Sequence, residues 1–284
     1  MENSNKKIIW LASYPKSGNT WFRSFLTALL NNTEIDINEL KTNGIFSSRF
    51  IFDQLTDTDS TLLYEEEVNA IIPEVFTELK GINKQEKLFI KIHDAYTNNL
   101  NNLPIVPTEA THSAIYFVRN PLDIAASWAN HNNSSIENAI KFINNPIGKL
   151  AKQKNNFNVN NQFPQLLLSW SGHVESWTNN LPFPVLFLRY EDMLTNTYQL
   201  FSKALLFMGF NKTREEIEKA IEDSSFSKLK EQEEQKGFAE KDPDSPVFFR
   251  QGIAGNWVNE LSKEQVEIII EAHKTTMFKF GYTT

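Results

Sequence analysis

The feature that most constrains the fold is a short apolar run near the N-terminus that leads through a turn into an amphipathic helix. Lys7 to Ala12 has the pattern of a buried β-strand, because all but its first residue are apolar. Asn19 to Leu30 then places its large apolar side chains on one helix face. The segment therefore predicts the first strand and the first helix of a parallel α/β sheet.

The same alternation of apolar runs and helical periods recurs along the chain. It predicts further strands at residues 88–92, 114–118 and 185–188, and helices at 66–79, 121–129, 166–177 and 197–208. Capping-box sequences at Thr213 and Ser262 begin two more helices, so the C-terminal third is predicted to be mostly helical. With no repeat and no composition break, we expect a single domain over residues 1–284.

Composition and charge limit the possible partners. The 28 Lys and Arg residues against 35 Asp and Glu give a net charge of −7, the opposite of what nucleic-acid or anionic-membrane binding favours. There is no cysteine, which excludes disulfides, thiolate metal sites and a cysteine nucleophile. The N-terminus lacks the apolar core of a signal peptide, and no apolar window is long enough for a membrane span. We therefore expect a cytoplasmic protein that binds neither nucleic acid nor membrane.

The turn after the first strand, Tyr14-Pro15-Lys16-Ser17-Gly18-Asn19-Thr20-Trp21, is the strongest functional signal. A glycine-containing turn at a helix N-terminus directs backbone N–H groups and the positive helix end at an anion. Lys16, Ser17 and Thr20 add a cation and two hydroxyls, which suit a phosphate. The spacing of a Walker A loop is missing. The alternative is an ordinary strand–helix turn that uses glycine for its geometry.

Two later segments also carry groups suited to an anion. Arg119 ends the third predicted strand and Ser127 lies eight residues further on, so the two could hold a second phosphate. The alternative is that Arg119 pairs with a surface carboxylate such as Asp123. In the segment from Arg250 to Trp257, two glycines lie three residues apart beside an arginine, which indicates a mobile anion-contacting loop.

The end of the second strand carries a candidate base. Strand alternation puts Lys91 and His93 on one face, and a neutral imidazole can remove a proton from a hydroxyl. The alternative is a structural histidine. The other four histidines are also interpreted as structural; they are His112, His131, His173 and His273. No pair of histidines has metal-ligand spacing, so no metal is predicted.

Taken in order from Tyr14 to Trp257, these segments resemble sulfotransferases that use 3′-phosphoadenosine 5′-phosphosulfate (PAPS). The first turn resembles the family's 5′-phosphosulfate loop, and Arg119 and Ser127 match its 3′-phosphate motif. The last segment resembles the Arg-Lys-Gly-x-x-Gly-Asp-Trp signature that clamps the same phosphate, with Gln251 and Asn256 replacing the usual Lys and Asp. The two replacements imply weaker nucleotide affinity than is typical of the family.

The resemblance implies roles for individual residues. His93 matches the catalytic base, while Lys16 and Lys91 match lysines that stabilise the transferring group. Trp21 and Phe226 match the aromatics that stack on adenine, and Ser224 and Tyr190 match neighbours of the base. The full set implied for the nucleotide is Lys16, Ser17, Gly18, Asn19, Thr20, Trp21, Arg119, Ser127, Tyr190, Ser224, Phe226, Arg250, Gln251 and Gly252.

The resulting hypothesis is a P-loop-like α/β sulfotransferase, a parallel sheet flanked by helices. It would move a sulfuryl group from PAPS to a hydroxyl, or an amine, of a small molecule without a metal, releasing adenosine 3′,5′-bisphosphate (PAP). One alternative is a P-loop-type phosphotransferase, which would need a lysine after a glycine and acidic Mg²⁺ ligands. The other alternative is a nucleotide-binding module with degraded catalytic activity, which is suggested by Gln251 and Asn256.

The acceptor and the oligomeric state are less constrained. Pocket walls are expected from Lys41–Tyr64, Asn132–Phe163 and a charged segment at 230–248, whose part from Lys230 to Pro246 is predicted to be a mobile surface segment or lid. Phenylalanines and acids in the walls (Phe46, Phe50, Phe52, Asp53, Asp57, Asp59, Phe157 and Phe163) favour a phenol, an aliphatic alcohol or an alkaloid over a glycan polyanion. The family's dimer motif survives only at Glu267, which predicts a monomer or a weak dimer.

Overall fold

A computed structural model describes residues 7–31, 35–40, 42–151, 160–241 and 245–282. Its centre is a four-stranded parallel sheet made of β1 (Ile8–Ser13), β2 (Leu88–Ile92), β3 (Thr111–Val118) and β6 (Val185–Arg189). The strand order is β2-β1-β3-β6, and Ile8 lies opposite Leu88 in the β1–β2 register. A short antiparallel ribbon joins β4 (Lys149–Leu150) to β5 (Gln165–Leu166). The predicted parallel sheet flanked by helices is confirmed.

The described residues include eleven α-helices, six before β6 and five after it. The first six are α1 (Asn19–Asn31), α2 (Arg49–Thr56), α3 (Glu65–Ile82), α4 (Pro121–His131), α5 (Ile136–Ile143) and α6 (Trp170–Ser176). The C-terminal third carries α7 (Tyr190–Thr195), α8 (Thr197–Phe207), α9 (Arg214–Asp223), α10 (Phe226–Lys236) and α11 (Lys263–Lys279). Capping boxes at Thr213 and Ser262 begin α9 and α11, as predicted.

The structure corrects two local predictions. The helix expected at 166–177 begins only at Trp170, because Gln165 and Leu166 pair with β4 instead. The segment from Lys230 to Pro246 is not simply a mobile lid, since its first part belongs to α10. Glu233 of that helix is buried, and its carboxylate accepts the backbone N–H groups of Phe248 and Phe249. Residues 242–244 lie outside the described part of the chain.

The chain divides into two compact units, each built from three stretches of sequence. One contains the residues up to Tyr14, Asn43–Tyr116 and Pro146–Leu186. The other contains Pro15–Thr42, Phe117–Asn145 and Phe187–Thr284. We call them the first and the second unit. The single domain predicted over 1–284 stays a prediction.

Aromatic side chains fill the core of the first unit. Trp10 of β1 is fully buried and meets the rings of Phe46 and Phe76 edge-on, at centroid distances of 5.6 and 5.4 Å. Phe46 stacks on Phe76, and Phe52 and Phe163 pack edge-to-face in a separate buried cluster. Phe46, Phe52 and Phe163 are therefore core residues rather than pocket walls, because each is at least nine-tenths buried. Phe157, also expected in a wall, lies outside the described residues.

The second unit has a core of phenylalanines from several elements. The ring of Phe22 on α1 lies 5.1 Å from that of Phe117 and 5.2 Å from that of Phe201 on α8. Phe25, one turn along α1, lies 4.5 Å from Phe201. The apolar face predicted for α1 is thus the face that packs. This packing fixes the start of α1 and the turn before it.

Candidate functional site

The turn from Pro15 to Asn19, in the second unit, has the geometry of an anion-binding loop. Lys16 has φ 69° and Gly18 has φ 95°, so the residues on both sides of Ser17 have a left-handed backbone conformation. This conformation is unfavourable for a lysine and is typical of functional loops. Only glycine fits at Gly18, because a Cβ there would lie 2.7 Å from the ring of Tyr190.

Ser17 supplies a buried hydroxyl that has nothing to bind within the described part of the chain. Its side chain is 1% exposed, and Oγ has no hydrogen-bond partner there. A buried polar group without a partner costs about 1–3 kcal/mol. A ligand oxygen at this position would remove that cost.

Lys16 has an aromatic neighbour that the sequence did not predict. Its Nζ lies 4.2 Å from the centroid of the Phe248 ring, a cation–π distance. Phe248 follows α10 and is held there by the carboxylate of Glu233. The ammonium group that was predicted to act on a phosphate therefore lies over the loop before Arg250.

Arg119 joins the first predicted motif to the last. Its guanidinium donates to the carbonyl of Lys16 at 3.0 Å and to that of Ile253 at 3.2 Å. The same group lies 4.4 Å from the centroid of the Tyr190 ring. Three distant segments of sequence thus meet at one cation within the second unit.

Asp123, the carboxylate named as the alternative partner of Arg119, is engaged elsewhere. The Asp123 carboxylate is 3% exposed and accepts the backbone N–H groups of Gly255 and Trp257, at 2.8 and 3.1 Å. It thereby holds the loop from Arg250 to Trp257 on α4. Gly252, at φ 64°, is required in this loop because a Cβ would collide with the ring of Phe226.

The residues predicted to surround adenine lie in the second unit but are not equally available. Trp21 and Tyr190 meet edge-on at 6.3 Å, and Phe226 covers Gly252. Ser224 is fully buried and donates its proton to the carbonyl of Ala220 at 2.7 Å. Its hydroxyl could therefore only accept a hydrogen bond from a base.

The remaining 3′-phosphate candidates are Ser127 on α4 and Arg250 and Gln251 of the loop from Arg250 to Trp257. The Ser127 side chain is half-buried. Arg250 forms an ion pair with Glu260, whereas Gln251 is exposed. Glu260 was not predicted from the sequence, although it follows Asn256 by one helical turn.

The predicted base lies in the first unit and has a defined tautomer. Lys91 and His93 are each half-buried, while Ile92 between them is fully buried, as strand alternation predicts. Nδ1 of His93 lies 2.7 Å from the carbonyl oxygen of Ser13. Since a carbonyl can only accept, Nδ1 carries the hydrogen in the neutral ring. The basic lone pair is therefore on Nε2.

A buried histidine holds the backbone of His93. His173 on α6 is fully buried, and its Nε2 donates to the carbonyl of His93 at 2.9 Å. Its Nδ1 accepts the hydroxyl of Tyr116 at 2.7 Å. Burial lowers the pKa of His173 to about 4, so its ring is neutral at physiological pH. The structural role predicted for His173 fits this geometry.

The next residues are anchored to the same part of the chain. The indole N–H of Trp177 donates to the carbonyl of Asp94 at 3.1 Å. The backbone N–H of Tyr96 donates to Ser176 Oγ at 3.0 Å. Residues 93–96 are thus fixed by α6 and its C-cap rather than by the sheet alone.

Asp94 is a buried carboxyl beside the predicted base. It is 8% exposed, and its Oδ2 has no hydrogen-bond partner among the described residues. Burial raises the pKa of Asp94 to about 8, although a hydrogen bond from the backbone of Leu166 opposes the shift. At neutral pH this side chain therefore holds its proton.

Asp94→Asn is expected to gain stability relative to the natural chain as pH rises. The pKa of Asp94 in the folded protein, about 8, lies above its unfolded value, so ionisation favours unfolding. The natural chain should lose up to roughly 1.4 kcal/mol per pH unit between about 4 and 8, and the variant should not. Chemical denaturation at pH 5, 6.5 and 8 measures this, with Glu109→Gln, a change at an exposed carboxylate, as the control. A difference between the two unfolding free energies that stays constant with pH would rule it out.

A family model described as a sulfotransferase domain matches residues 6–281. The chain therefore belongs to the sulfotransferase family, and it is an enzyme of the class that transfers sulfuryl groups. Within the described residues, no group of His, Asp and Glu side chains could hold a metal, and no helix there is long and apolar enough to cross a membrane.

Individual relatives match along most of their length. Sulfotransferase 1B1 of the dog is 27% identical over 97% of this chain and 85% of its own. Cytosolic sulfotransferase 16 of Arabidopsis thaliana is 24% identical over 89% of this chain and 71% of its own. The crystal structure of mouse sulfotransferase SULT7A1 complexed with PAP has a TM-score of 0.60 at 22% identity, covering 97% of this chain and 87% of that one. This last likeness supports the fold.

Proposed function

We propose that the chain transfers a sulfuryl group from PAPS to a hydroxyl, or an amine, of a small-molecule acceptor and releases PAP. The observation that carries this proposal is the guanidinium of Arg119, which joins the loop at Lys16 to the loop at Ile253. A nucleotide phosphorylated at both its 5′ and 3′ positions would be bound well by two such loops, because phosphates form strong charge-assisted hydrogen bonds with arginine.

The residues fit such a nucleotide. The backbone of residues 16–19, the unpartnered Ser17 hydroxyl and the hydroxyl of Thr20 would hold the 5′-phosphosulfate. Arg119, Ser127 and Arg250, with Gln251 and Gly252 of the same loop, would hold the 3′-phosphate. Trp21, Tyr190 and Phe226 offer aromatic faces to adenine, and the buried Ser224 hydroxyl offers a lone pair.

Catalysis would rest on positioning and on charge. PAPS supplies the sulfuryl group when it is bound. Nε2 of His93 would take the acceptor's proton as the acceptor oxygen bonds to sulfur and the bond from sulfur to the 5′-phosphate oxygen breaks. Lys16 would stabilise the charge that grows on that oxygen, and Lys91 would assist at the sulfuryl oxygens.

The acceptor is proposed to be small and either neutral or cationic. A related enzyme of Flaveria bidentis is a flavonol 3-sulfotransferase, which supports an aromatic alcohol. In the first unit, Phe50, Leu62 and Tyr64 are between two-thirds and four-fifths exposed, apolar surface suited to such a molecule. The Arabidopsis relatives are named cytosolic, which supports a cytoplasmic location. For the oligomeric state we propose a monomer or a weak dimer, because only Glu267 of the family's dimer motif is present.

Transfer of radiolabelled sulfate from PAPS tests the reaction. The acceptor panel combines phenols, aliphatic alcohols and guanidinium-bearing alkaloids with heparan precursors. We expect sulfation of at least one small acceptor and none of the heparin-type chains. Labelling confined to the glycans would contradict the acceptor class. Binding of PAP without any transfer would instead support the nucleotide-binding module.

Arg119→Lys is expected to weaken PAP about 10- to 100-fold more than it weakens adenosine monophosphate (AMP), because charge-assisted hydrogen bonds to the 3′-phosphate are worth about 1.5–3 kcal/mol. The lysine keeps the charge but not the fork that contacts both loops. Calorimetry with the two nucleotides measures the ratio. Equal weakening of both would show that Arg119 does not recognise the 3′-phosphate.

A further inference from the structure

An internal carboxylate already binds the arginine that we assign to the 3′-phosphate. Arg250 Nη1 lies 2.9 Å from Glu260 Oε2, and their side chains are only 34% and 19% exposed. Both residues lie in the second unit, ten positions apart on either side of the Asn256–Asn259 turn. The pair is therefore local and partly shielded from water.

The second carboxylate oxygen of Glu260 is also engaged. Oε1 accepts a hydrogen bond from the side-chain amide of Asn256. Asn256 stands where the family signature has an aspartate, and a carboxylate there would repel Glu260 instead of binding it. Asn256 thus favours the conformation in which Glu260 faces Arg250.

The charge of this loop is consequently balanced without a ligand. Between residues 250 and 260 the only charged side chains are those of Arg250 and Glu260, and Gln251 removes the cation that the family signature carries beside the arginine. A 3′-phosphate bound at Arg250 would meet the carboxylate of Glu260 at short range. Like charges that share one partly buried cation oppose each other.

We propose that Glu260 determines how strongly the chain selects nucleotides that carry a 3′-phosphate, by competing with that phosphate for Arg250. The inference rests on the proposed function, because it takes Arg250 as a ligand of the 3′-phosphate. PAPS and PAP both carry this phosphate, so both are held less tightly than an uncontested Arg250 would hold them. AMP, which lacks it, is unaffected.

The test is nucleotide binding by Glu260→Gln, which keeps the shape and a neutral acceptor for Arg250 but removes the charge. Isothermal calorimetry with PAP and with AMP needs no acceptor and no turnover. We expect the variant to bind PAP about tenfold more tightly, because a repulsive charge beside the phosphate is gone, with AMP affinity unchanged. Unchanged AMP affinity also shows that the site is folded.

Glu218→Gln is the matched control. Glu218 pairs with Arg214 on α9 at 2.7 Å, so its loss changes the net charge equally and also breaks an arginine–glutamate pair. This control should leave the affinity for both nucleotides unchanged. An equal gain in PAP affinity in the two variants would reduce the effect to overall charge and overturn the proposal.

Two further outcomes separate this inference from the proposed function. Weaker or unchanged PAP binding by Glu260→Gln would show that Glu260 supports Arg250 rather than competes with the phosphate, and would overturn the inference alone. Arg250→Ala is expected to weaken PAP and spare AMP. If Arg250→Ala left PAP binding intact, the assignment of the 3′-phosphate site would fail, and the inference with it.

Discussion

Lys16→Ala is expected to lower turnover about 100- to 1000-fold while the protein stays folded, because a charge that grows in the transition state loses its partner. The left-handed backbone at position 16 is equally unfavourable for alanine and lysine, so the change removes only the side chain. The lost contact with the Phe248 ring costs about 0.5–1 kcal/mol. Steady-state transfer from PAPS, with circular dichroism as the check on folding, measures the effect.

Lys16→Met separates charge from packing. It keeps the unbranched side chain over Phe248 but not the ammonium, and we expect it to be as inactive as the alanine variant. Lys212→Ala, which breaks an exposed pair with Glu216, is the control and should be fully active. A folded alanine variant that keeps more than about a tenth of the natural turnover would show that Lys16 does not stabilise the transition state.

His93→Ala is expected to reduce turnover by about 100- to 10,000-fold, the usual contribution of a general base, while affinity for PAP is retained. The expectation rests on the tautomer, since the Ser13 carbonyl at Nδ1 leaves the basic lone pair on Nε2. Transfer rates and PAP calorimetry on the same preparation measure both quantities. His112→Ala, which changes a histidine assigned a structural role, should keep normal turnover.

Two results would contradict the assignment of His93. Loss of PAP affinity together with turnover would make His93 part of the scaffold rather than a base. Near-normal turnover would require another base, and Asp94 is adjacent in sequence. Burial raises the pKa of Asp94 to about 8, so this carboxyl holds its proton at neutral pH and is poorly suited to that role.

The sequence was most informative where local chemistry decides the structure. The apolar run at 88–92 has the same bounds as β2, because a buried strand needs little beyond its own side chains to be recognised. The helix predicted to begin at residue 121 does begin there, because the Asn120 side chain caps α4 and Pro121 suits its first position. The loop at Lys16 was found from its position between a strand and a helix.

Residues whose surroundings come from distant parts of the chain were missed. Lys230 to Pro246 was predicted to be mobile because it is charged, contains two prolines and has no apolar period. The structure buries only Leu229 and Glu233 of α10. Glu233 holds this helix in place, because its carboxylate accepts hydrogen bonds from two backbone N–H groups fifteen and sixteen residues later in the chain. The ion pair of Glu260 with Arg250 and the contact between Lys16 and Phe248 also form only in the folded chain. Motifs and periodicity in the sequence do not predict such pairs.

The attachment of residues 93–96 to α6 has a consequence for the order of events in folding. The hydrogen bond from His173 to the His93 carbonyl joins positions 80 residues apart, as does that from Tyr96 to Ser176. Contacts of such long sequence separation form late, because the intervening chain must first be closed into a loop. During refolding, helical signal should therefore recover before transferase activity does. The histidine proposed as the base would reach its working position only when α6 has docked.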